Sequence, residues 1–382
     1  MPSTRVHDSH CDLESGPRTN AYLMKQWLET REVLGRLAEL LGEGKRTALA
    51  TVVRVRGSAY RHEGAKMLVA EDSETTGNVS GGCLEADVRE VALEVLASRK
   101  PQLRSYYAGS DEIAAWDLGV GCEGQVEVLV EVVTDVRAYE QTLLDGTAPF
   151  ASCVLVADPH CRLVVTAAGA EGDLVDSSFD DSVATLARSV LERGGSAIHS
   201  IAGRDVFIDV LTPPPQLVVV SAGDDASALV RFATAIGFRI IVVDRRPGLL
   251  TRERFPGAAN LIQATPEELV ERVTLDGKNF AVIMTHNYVD DREYLRAILG
   301  TSVPYIGLLG PRQRTDRILR ELAAIEPIDE DRIYGPIGLD IGADGAEEIA
   351  ISTLSEILAI RSGRKPTSLR ERRQPIHIDV GN

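Results

Sequence analysis

The second half of the chain alternates short apolar runs with helical patterns, and this alternation restricts the fold more than any other feature. Strands are predicted at residues 217–220, 239–243, 281–284 and 305–308. Helices are predicted at residues 225–236, 266–272, 290–299, 312–324 and 345–362. Apolar strands separated by helices are typical of a parallel sheet with both faces covered. The sequence therefore predicts an α/β domain with a mainly parallel sheet over residues 216–363.

A glycine-containing turn follows the first of these strands and opens a helix. Gly223 lies at a glycine position of the dinucleotide-binding fingerprint, and Asp244 ends the second strand about 20 residues later, where a ribose-binding carboxylate is expected. Asp224 and Asp225, however, place negative charge at the helix start, where a phosphate would otherwise bind. Two interpretations stay open: a dinucleotide site, and a Rossmann-like scaffold without a bound dinucleotide.

Two further segments of this domain carry candidate residues. His286 lies two residues after the third strand, and ligands bind at the carboxyl ends of strands in open α/β sheets, although a satisfied loop residue is the alternative. Asp340 lies in the glycine-rich segment 335–342, which indicates close backbone approach to a ligand or to a neighbouring chain, with a tight helix–helix connection as the alternative. We expect Asp344 and Glu347 to form a capping box at the start of the last helix.

The first half of the chain ends at Pro213-Pro214-Pro215, a stiff connector that continues neither a strand nor a helix. Strands are predicted before it at residues 47–55, 66–70, 103–107, 126–133, 150–156, 163–167 and 205–211, and helices at 22–43, 84–97 and 181–193. We interpret residues 22–212 as one α+β domain built on a mixed sheet. A polar arm (1–21) precedes it, and a tail (364–382) follows the second domain.

Two of the five cysteines are framed by glycines. Cys83 follows Gly81 and Gly82 at the start of a predicted helix, and Cys122 lies in the similar segment Gly119–Gly124. The helix dipole lowers the pKa of such a thiol and favours the nucleophilic, metal-binding thiolate, whereas Glu85 opposes this effect. The alternative is a small buried apolar residue, which we adopt for Cys153. Without a CxxC pair, we expect free thiols rather than a zinc site or disulfides.

Charge and hydropathy exclude several classes of protein. The formal net charge of −16 argues against a nucleic-acid or anionic-membrane partner, because phosphate binding depends on clustered cations. Arg56, Arg61 and Lys66 could still form a local anion-binding surface, with scattered surface charge as the alternative. No apolar run approaches the roughly 18 residues of a membrane span, and the polar N-terminus does not resemble a signal peptide. We therefore expect a cytoplasmic protein.

Several strings, among them "GNVSGGCLEADV", "MTHNYVDDREYL" and "PIGLDIGADGAEEIAISTLSEILA", resemble the xanthine dehydrogenase accessory protein family (XdhC/CoxI) from about residue 35 to 362. The aspartates after Gly223 are more similar to the CoxI side of that family. The resemblance implies a chaperone that binds the molybdenum cofactor, a molybdopterin with or without a nucleotide. It would protect this cofactor during sulfuration and assist its insertion into a molybdenum hydroxylase, such as xanthine dehydrogenase or carbon monoxide dehydrogenase.

The resemblance and the residues together assign cofactor contacts and partners. Cys83 is the expected metal contact, and no catalytic residue is assigned. The full set of expected cofactor-binding residues is Gly81, Gly82, Cys83, Cys122, Gly223, Asp224, Asp225, Asp244, His286 and Asp340. The implied partners are the large subunit of the hydroxylase, a cysteine desulfurase and a second copy of the chain. The alternatives are an NAD(P)-dependent oxidoreductase using Gly223, Asp244 and His286, and an interaction scaffold without a small ligand.

Overall fold

The computed structural model describes residues 23–57, 59–107 and 124–371 of the 382. Its first sheet contains β1 (Thr47–Gly57), β2 (Lys66–Ala70), β3 (Thr75–Gly77), β4 (Gln102–Tyr107) and β5 (Gly124–Val133). The strand order is β3-β2-β1-β5-β4, and each neighbouring pair runs antiparallel. The ends of β1 and β5 therefore lie side by side, with Gly57 opposite Gly124.

A second antiparallel sheet follows in the chain. It contains β6 (Phe150–Leu155), β7 (Arg162–Thr166), β8 (Ala170–Gly172), β9 (Ala197–Ile201) and β10 (Arg204–Leu211), in the order β8-β7-β6-β10-β9. The predicted single mixed sheet is therefore wrong. Alternation of apolar and polar residues indicates which face of a strand is buried, but it carries no information on the direction of the neighbouring strand.

Four helices complete the described part of the first half: α1 (Leu23–Gly42), α2 (Glu85–Ser98), α3 (Ala138–Asp145) and α4 (Ser177–Arg193). The apolar face of α2 covers the first sheet, and that of α4 covers the second sheet. The inner faces of the two sheets meet at Val53, Leu129, Val154 and Phe207, while α1 packs beside them through Trp27. The first half is thus a layered α+β structure in which both sheets have a covered outer face.

The three cations predicted to form an anion-binding surface do not do so. Lys66 is buried, and its ammonium group donates to the Asp209 carboxylate between the two sheets. Arg61 donates to the Glu29 carboxylate. Arg56 is the exposed member of the three. The prediction fails because carboxylates from distant segments neutralise two of the charges, and sequence proximity gives no sign of such partners.

The second half contains a six-stranded sheet in which all neighbouring strands are parallel. Its strands are β11 (Gln216–Val220), β12 (Arg239–Asp244), β13 (Asn260–Gln263), β14 (Asn279–Ile283), β15 (Tyr305–Leu308) and β16 (Ile333–Tyr334). Their order is β13-β12-β11-β14-β15-β16, the doubly wound arrangement with its switch point between β11 and β14. The predicted α/β domain with a mainly parallel sheet is confirmed.

The helices of the second half cover both faces of this sheet. They are α5 (Asp224–Ala235), α6 (Leu269–Arg272), α7 (Tyr288–Leu299), α8 (Arg312–Ala323) and α9 (Gly345–Arg361). One core cluster joins α5 and α9 to one face, and a second joins α6, α7 and α8 to the other. Within the described ranges, no helix is long and apolar enough to cross a lipid bilayer.

Candidate functional site

Residues 78–84, here called the Cys83 loop, connect β3 to α2 and are folded around the hydroxyl group of Ser80. The Ser80 Oγ accepts hydrogen bonds from the N–H groups of Gly82 (3.1 Å) and Leu84 (3.0 Å). Helix α2 begins at Glu85, with Leu84 as its N-cap. Cys83 is exposed and lies just outside the helix rather than in its first turn.

The Glu85 carboxylate closes the Cys83 loop from the helix side. Its Oε1 atom accepts the N–H groups of Ser80 (2.8 Å) and Val79 (3.2 Å), and the Ser80 hydroxyl donates to Oε2. Burial raises the pKa of Glu85, but the hydrogen bonds from Ser80 and Val79 outweigh it and hold the pKa below its ordinary value. The Glu85 carboxylate, whose negative charge we expected to oppose a Cys83 thiolate, therefore accepts hydrogen bonds from the backbone of the loop.

The two glycines of the Cys83 loop are needed for different reasons. Gly82 has φ = +113°, a left-handed backbone conformation that a side chain would strain. Gly81 lies under the ring of Tyr60, and a Cβ atom placed on it would come within 3.1 Å of the Tyr60 Cγ atom. Tyr60 is a neighbour that sequence analysis missed, because the pattern indicates a close approach at a glycine without naming the group that approaches.

The other cysteines divide into three cases. Cys153 is fully buried in β6, and burial raises its pKa to about 12, which confirms the prediction of an apolar core residue. Cys161 is exposed. Cys122 and Cys11 lie outside the described residues, so the prediction for Cys122 stays a prediction. The first described residue after Cys122 is Gly124, the first residue of β5.

In the second half, the Gly223 turn (residues 221–225) joins β11 to α5 at the switch point of the parallel sheet. The Ser221 Oγ accepts the N–H of Gly223 at 3.0 Å, and the Asp244 carboxylate accepts the N–H of Ala222 at 2.7 Å. Arg246 donates to both carboxylate oxygens of Asp244 (2.9 and 2.8 Å). Burial raises the Asp244 pKa, but these hydrogen bonds outweigh it and lower the pKa. The Asp244 carboxylate is thus already hydrogen-bonded to groups of the protein itself.

The two aspartates at the start of α5 also contact basic side chains. Asp224 is 2.8 Å from the Arg254 guanidinium, and Asp225 Oδ2 is 2.9 Å from His286 Nε2. The structure therefore brings together Gly223, Asp225 and His286 at one edge of the sheet, as predicted from their strand ends. Carboxylates at a helix N-terminus oppose phosphate binding, so the dinucleotide alternative gains no support from this geometry. Sequence analysis missed Arg254, which precedes no strand and belongs to no motif.

His286 lies in the loop between β14 and α7, directly before the N-cap residue Asn287, with φ = +60°. Asn287 follows it as the N-cap of α7, and its side chain accepts the N–H groups of Val289 and Asp290. A small pocket opens between this loop and the end of β12, lined in part by Asp244 and Arg246. Both arginines that follow Asp244 are already paired, since Arg245 contacts Asp290 at 3.0 Å.

Asp340 is exposed on the glycine-rich segment 335–342, which packs against α9. Gly338 has φ = +96°, and a Cβ atom there would lie 2.4 Å from the Ser352 Oγ. The Gly338 N–H donates to Glu356 at 3.0 Å. This glycine is explained by close packing on a helix, whereas the role of Asp340 stays a prediction.

The predicted capping box at the start of α9 is wrong. Glu348, not Glu347, reaches back to the N–H of Asp344 (2.8 Å), and the Asp344 side chain makes no cap hydrogen bond. Glu347 instead contacts Arg231 on α5 at 3.2 Å. Glu347 therefore pairs with an arginine of another helix and not with the N-cap residue, and local sequence spacing cannot predict such a partner.

The Cys83 loop has the properties that a molybdenum–dithiolene group would require. Apart from the adjoining residues, no atom of the described part of the chain lies within 4 Å of a Cβ atom placed on Gly82, so there is space beside the backbone there, and Cys83 offers a soft sulfur donor. Among the described residues, no cluster of three or more His, Cys, Asp or Glu side chains is arranged to hold a metal ion. A metal bound at this loop would therefore need ligands of its own, as the dithiolene supplies.

The fold and the site define a two-part protein in which an exposed thiol on an antiparallel α+β half precedes a Rossmann-type half. A family model described as "XdhC and CoxI family" matches residues 40–107, and one described as "XdhC Rossmann domain" matches residues 217–357. The chain is 33% identical over 329 residues to a probable xanthine dehydrogenase subunit of Bacillus subtilis (strain 168), covering 85% of this chain and 96% of that protein. The chain belongs to the XdhC and CoxI family.

Two further relatives agree with this assignment. "Molybdenum cofactor insertion chaperone PaoD" of Escherichia coli (strain K12) is 24% identical over 336 residues, covering 87% of this chain and 88% of that protein. A crystal structure described as a xanthine dehydrogenase from Bacillus halodurans is similar, with a TM-score of 0.71 and 30% identity, covering 87% of this chain and 96% of that one. The similarity thus spans both halves.

Proposed function

We propose that this chain is an accessory protein that binds the molybdenum cofactor, protects it and assists its insertion into a molybdenum hydroxylase. The observation that carries the proposal is the exposed Cys83 thiol on a glycine loop fixed by Ser80 and Glu85. This loop lies inside the match to the XdhC and CoxI family. The relative named as a molybdenum cofactor insertion chaperone supports the same role.

Each part of the Cys83 loop has a distinct task in this proposal. When bound, the cofactor supplies a molybdenum centre that accepts soft sulfur ligands. Cys83 contacts this centre through its sulfur, Gly82 leaves open space for the cofactor beside the backbone, and Gly81 accommodates the Tyr60 ring. Ser80 and Glu85 hold the loop in one conformation, so little ordering entropy is lost on binding. The roles of Cys122, of Asp340 and of the residues around Gly223 stay predictions.

The same proposal names the partners and the compartment. The large subunit of a molybdenum hydroxylase receives the cofactor, and a cysteine desulfurase provides sulfur for its sulfuration. The chain acts in the cytoplasm, where reduced thiols persist, and as a homodimer. The widely spaced cysteines and the high negative charge support a cytoplasmic accessory protein over a nucleic-acid-binding one.

Anaerobic purification from a host that makes molybdopterin tests the cofactor contact. Wild type is expected to carry pterin, measured as fluorescence after oxidation, and Cys83→Ala is expected to lower the pterin per chain by about tenfold or more. Cys161→Ala is the matched control, because Cys161 is also an exposed thiol. Pterin in Cys83→Ala at the wild-type level would refute the direct contact. Wild type without pterin would refute the proposed function.

A further inference from the structure

Tyr60 follows β1 and is exposed to an unusual extent for an aromatic residue in a folded segment, at 72%. Its ring is nevertheless placed by a specific contact. A Cβ atom on Gly81 would lie 3.1, 3.3 and 3.4 Å from the Cγ, Cδ1 and Cδ2 atoms of Tyr60. An in-plane approach to Cγ is blocked by the tyrosine's own Cβ atom, so Gly81 lies against the face of the ring. Because 72% of Tyr60 is nevertheless exposed, the opposite face is the one that solvent reaches.

An aromatic ring held flat on a glycine, with its second face open, is suited to stacking. Planar heterocycles stack on such faces, and the contact requires no particular hydrogen-bonding pattern. A tyrosine has two side-chain torsions, so fixing its ring costs little conformational entropy. Burial of an apolar side chain does not explain Tyr60, because most of the residue remains in water.

Tyr60 is also close to the thiol of the proposed cofactor site. Gly81 precedes Cys83 by two residues, so their Cα atoms are at most about 7 Å apart. The hydrogen bonds of Gly82 and Leu84 to Ser80 keep this part of the Cys83 loop compact. The sulfur donor of Cys83 and the aromatic face of Tyr60 thus lie near each other in the fold. A molybdenum–pterin compound carries a metal that can contact the first and a planar ring that can stack on the second.

We infer that Tyr60 is the stacking platform for the planar ring system of the cofactor, with Gly81 as the residue that holds the platform in place. This inference rests on the proposed function. A methyl group on Gly81 would force the Tyr60 ring to move by a few tenths of an ångström. Substitutions of Tyr60 and Gly81 should therefore act through one shared structure, and their effects should not add.

The test compares pterin retention in wild type, Tyr60→Ala, Tyr60→Phe, Gly81→Ala and the Tyr60→Ala/Gly81→Ala double variant. Each is purified anaerobically from the molybdopterin-producing host and dialysed, and pterin per chain is measured after oxidation. Tyr60→Ala is expected to retain about 5- to 100-fold less pterin, as for loss of one stacked base. Tyr60→Phe keeps the ring and should match wild type. The double variant should match Tyr60→Ala alone.

Tyr107→Ala is the control, because Tyr107 is 66% exposed on β4 of the same sheet and contacts Gln125 rather than the Cys83 loop. Far-UV circular dichroism and the fluorescence of the buried Trp27 verify that each variant is folded. The inference would be overturned if Tyr60→Ala retained as much pterin as Tyr107→Ala, or if Tyr60→Phe retained as little as Tyr60→Ala. In either case, pterin that still depends on Cys83 would uphold the proposed function. Wild type without pterin would overturn both.

Discussion

The two glycine turns of the molecule share one backbone design. In the Cys83 loop, Ser80 accepts the N–H of Gly82 at 3.1 Å, and in the Gly223 turn, Ser221 accepts the N–H of Gly223 at 3.0 Å. A carboxylate then accepts a further backbone N–H in each turn, Glu85 in the first and Asp244 in the second. Both turns lead directly into a helix.

The difference between the turns lies in the side chains that follow the last glycine. Cys83 is exposed, and the nearby acid is directed into the loop. The Gly223 turn instead presents Asp224, paired with Arg254, and Asp225, in contact with His286. The first turn therefore offers a soft sulfur donor beside accessible backbone. The second has carboxylates at the helix N-terminus, where a phosphate would otherwise bind. One backbone design thus supports two different chemistries.

The largest effect is expected for Asp244→Asn, which removes the charge that closes the Gly223 turn. Asp244 is 5% exposed and accepts from Ala222 and Arg246. An amide cannot accept all of these donors, so we expect a loss of about 2–3 kcal/mol in the free energy of unfolding of the second half. Urea titration followed by far-UV circular dichroism measures it.

Both tryptophans, Trp27 and Trp116, lie in the first half, so their fluorescence provides an internal control for Asp244→Asn. The fluorescence transition should stay at its wild-type urea concentration. Asp224→Asn is the matched variant, because Asp224 is almost fully exposed and should change stability by no more than about 0.5 kcal/mol. If the circular dichroism and fluorescence transitions of Asp244→Asn shifted equally, the two halves would not unfold separately.

Glu85→Gln should have a smaller effect of about 1 kcal/mol, limited to the first half. The pKa of Glu85 is lowered in the folded protein. Its stabilisation is therefore present above the unfolded carboxyl pKa of about 4.3 and is lost as the pH falls through the folded value. Tryptophan fluorescence in urea should show the wild type losing its greater stability relative to Glu85→Gln as the pH falls below about 4.3. Glu90→Gln, on an exposed position of α2, is the matched variant, because it keeps Glu85 and should lose stability over the same pH range as the wild type.

The parallel half was predicted well because its signals are local. The apolar runs of β12 and β14 and the breaks after them determined the strand ends, and these ends placed Gly223, Asp244 and His286 at one edge. The short strands β13 and β16 were missed, since four and two residues give no usable periodicity. The antiparallel half was predicted less well, because strand direction and sheet membership depend on distant pairing.

The candidate site was predictable only as far as single residues carry chemistry. The glycines around Cys83 indicated a close approach, but the Tyr60 ring that causes it comes from another segment. The acids after Gly223 indicated an unusual helix start, but Arg254 and His286 were not predicted as their partners. Such pairs form through tertiary packing and have no fixed spacing in the sequence.

His286 provides the most specific test of the Gly223 turn. It combines a left-handed backbone with an exposed side-chain contact to Asp225. His286→Gly removes a weak pair of about 0.5 kcal/mol but relieves a similar amount of backbone strain, so its stability should stay within about 0.5 kcal/mol of wild type. His286→Val loses the same pair and adds a strained β-branched residue, so it should be less stable than His286→Gly by more than about 1 kcal/mol. Asp225→Asn isolates the pair. Equal losses in the glycine and valine variants, measured by circular dichroism in urea, would show that the backbone conformation at His286 carries no cost.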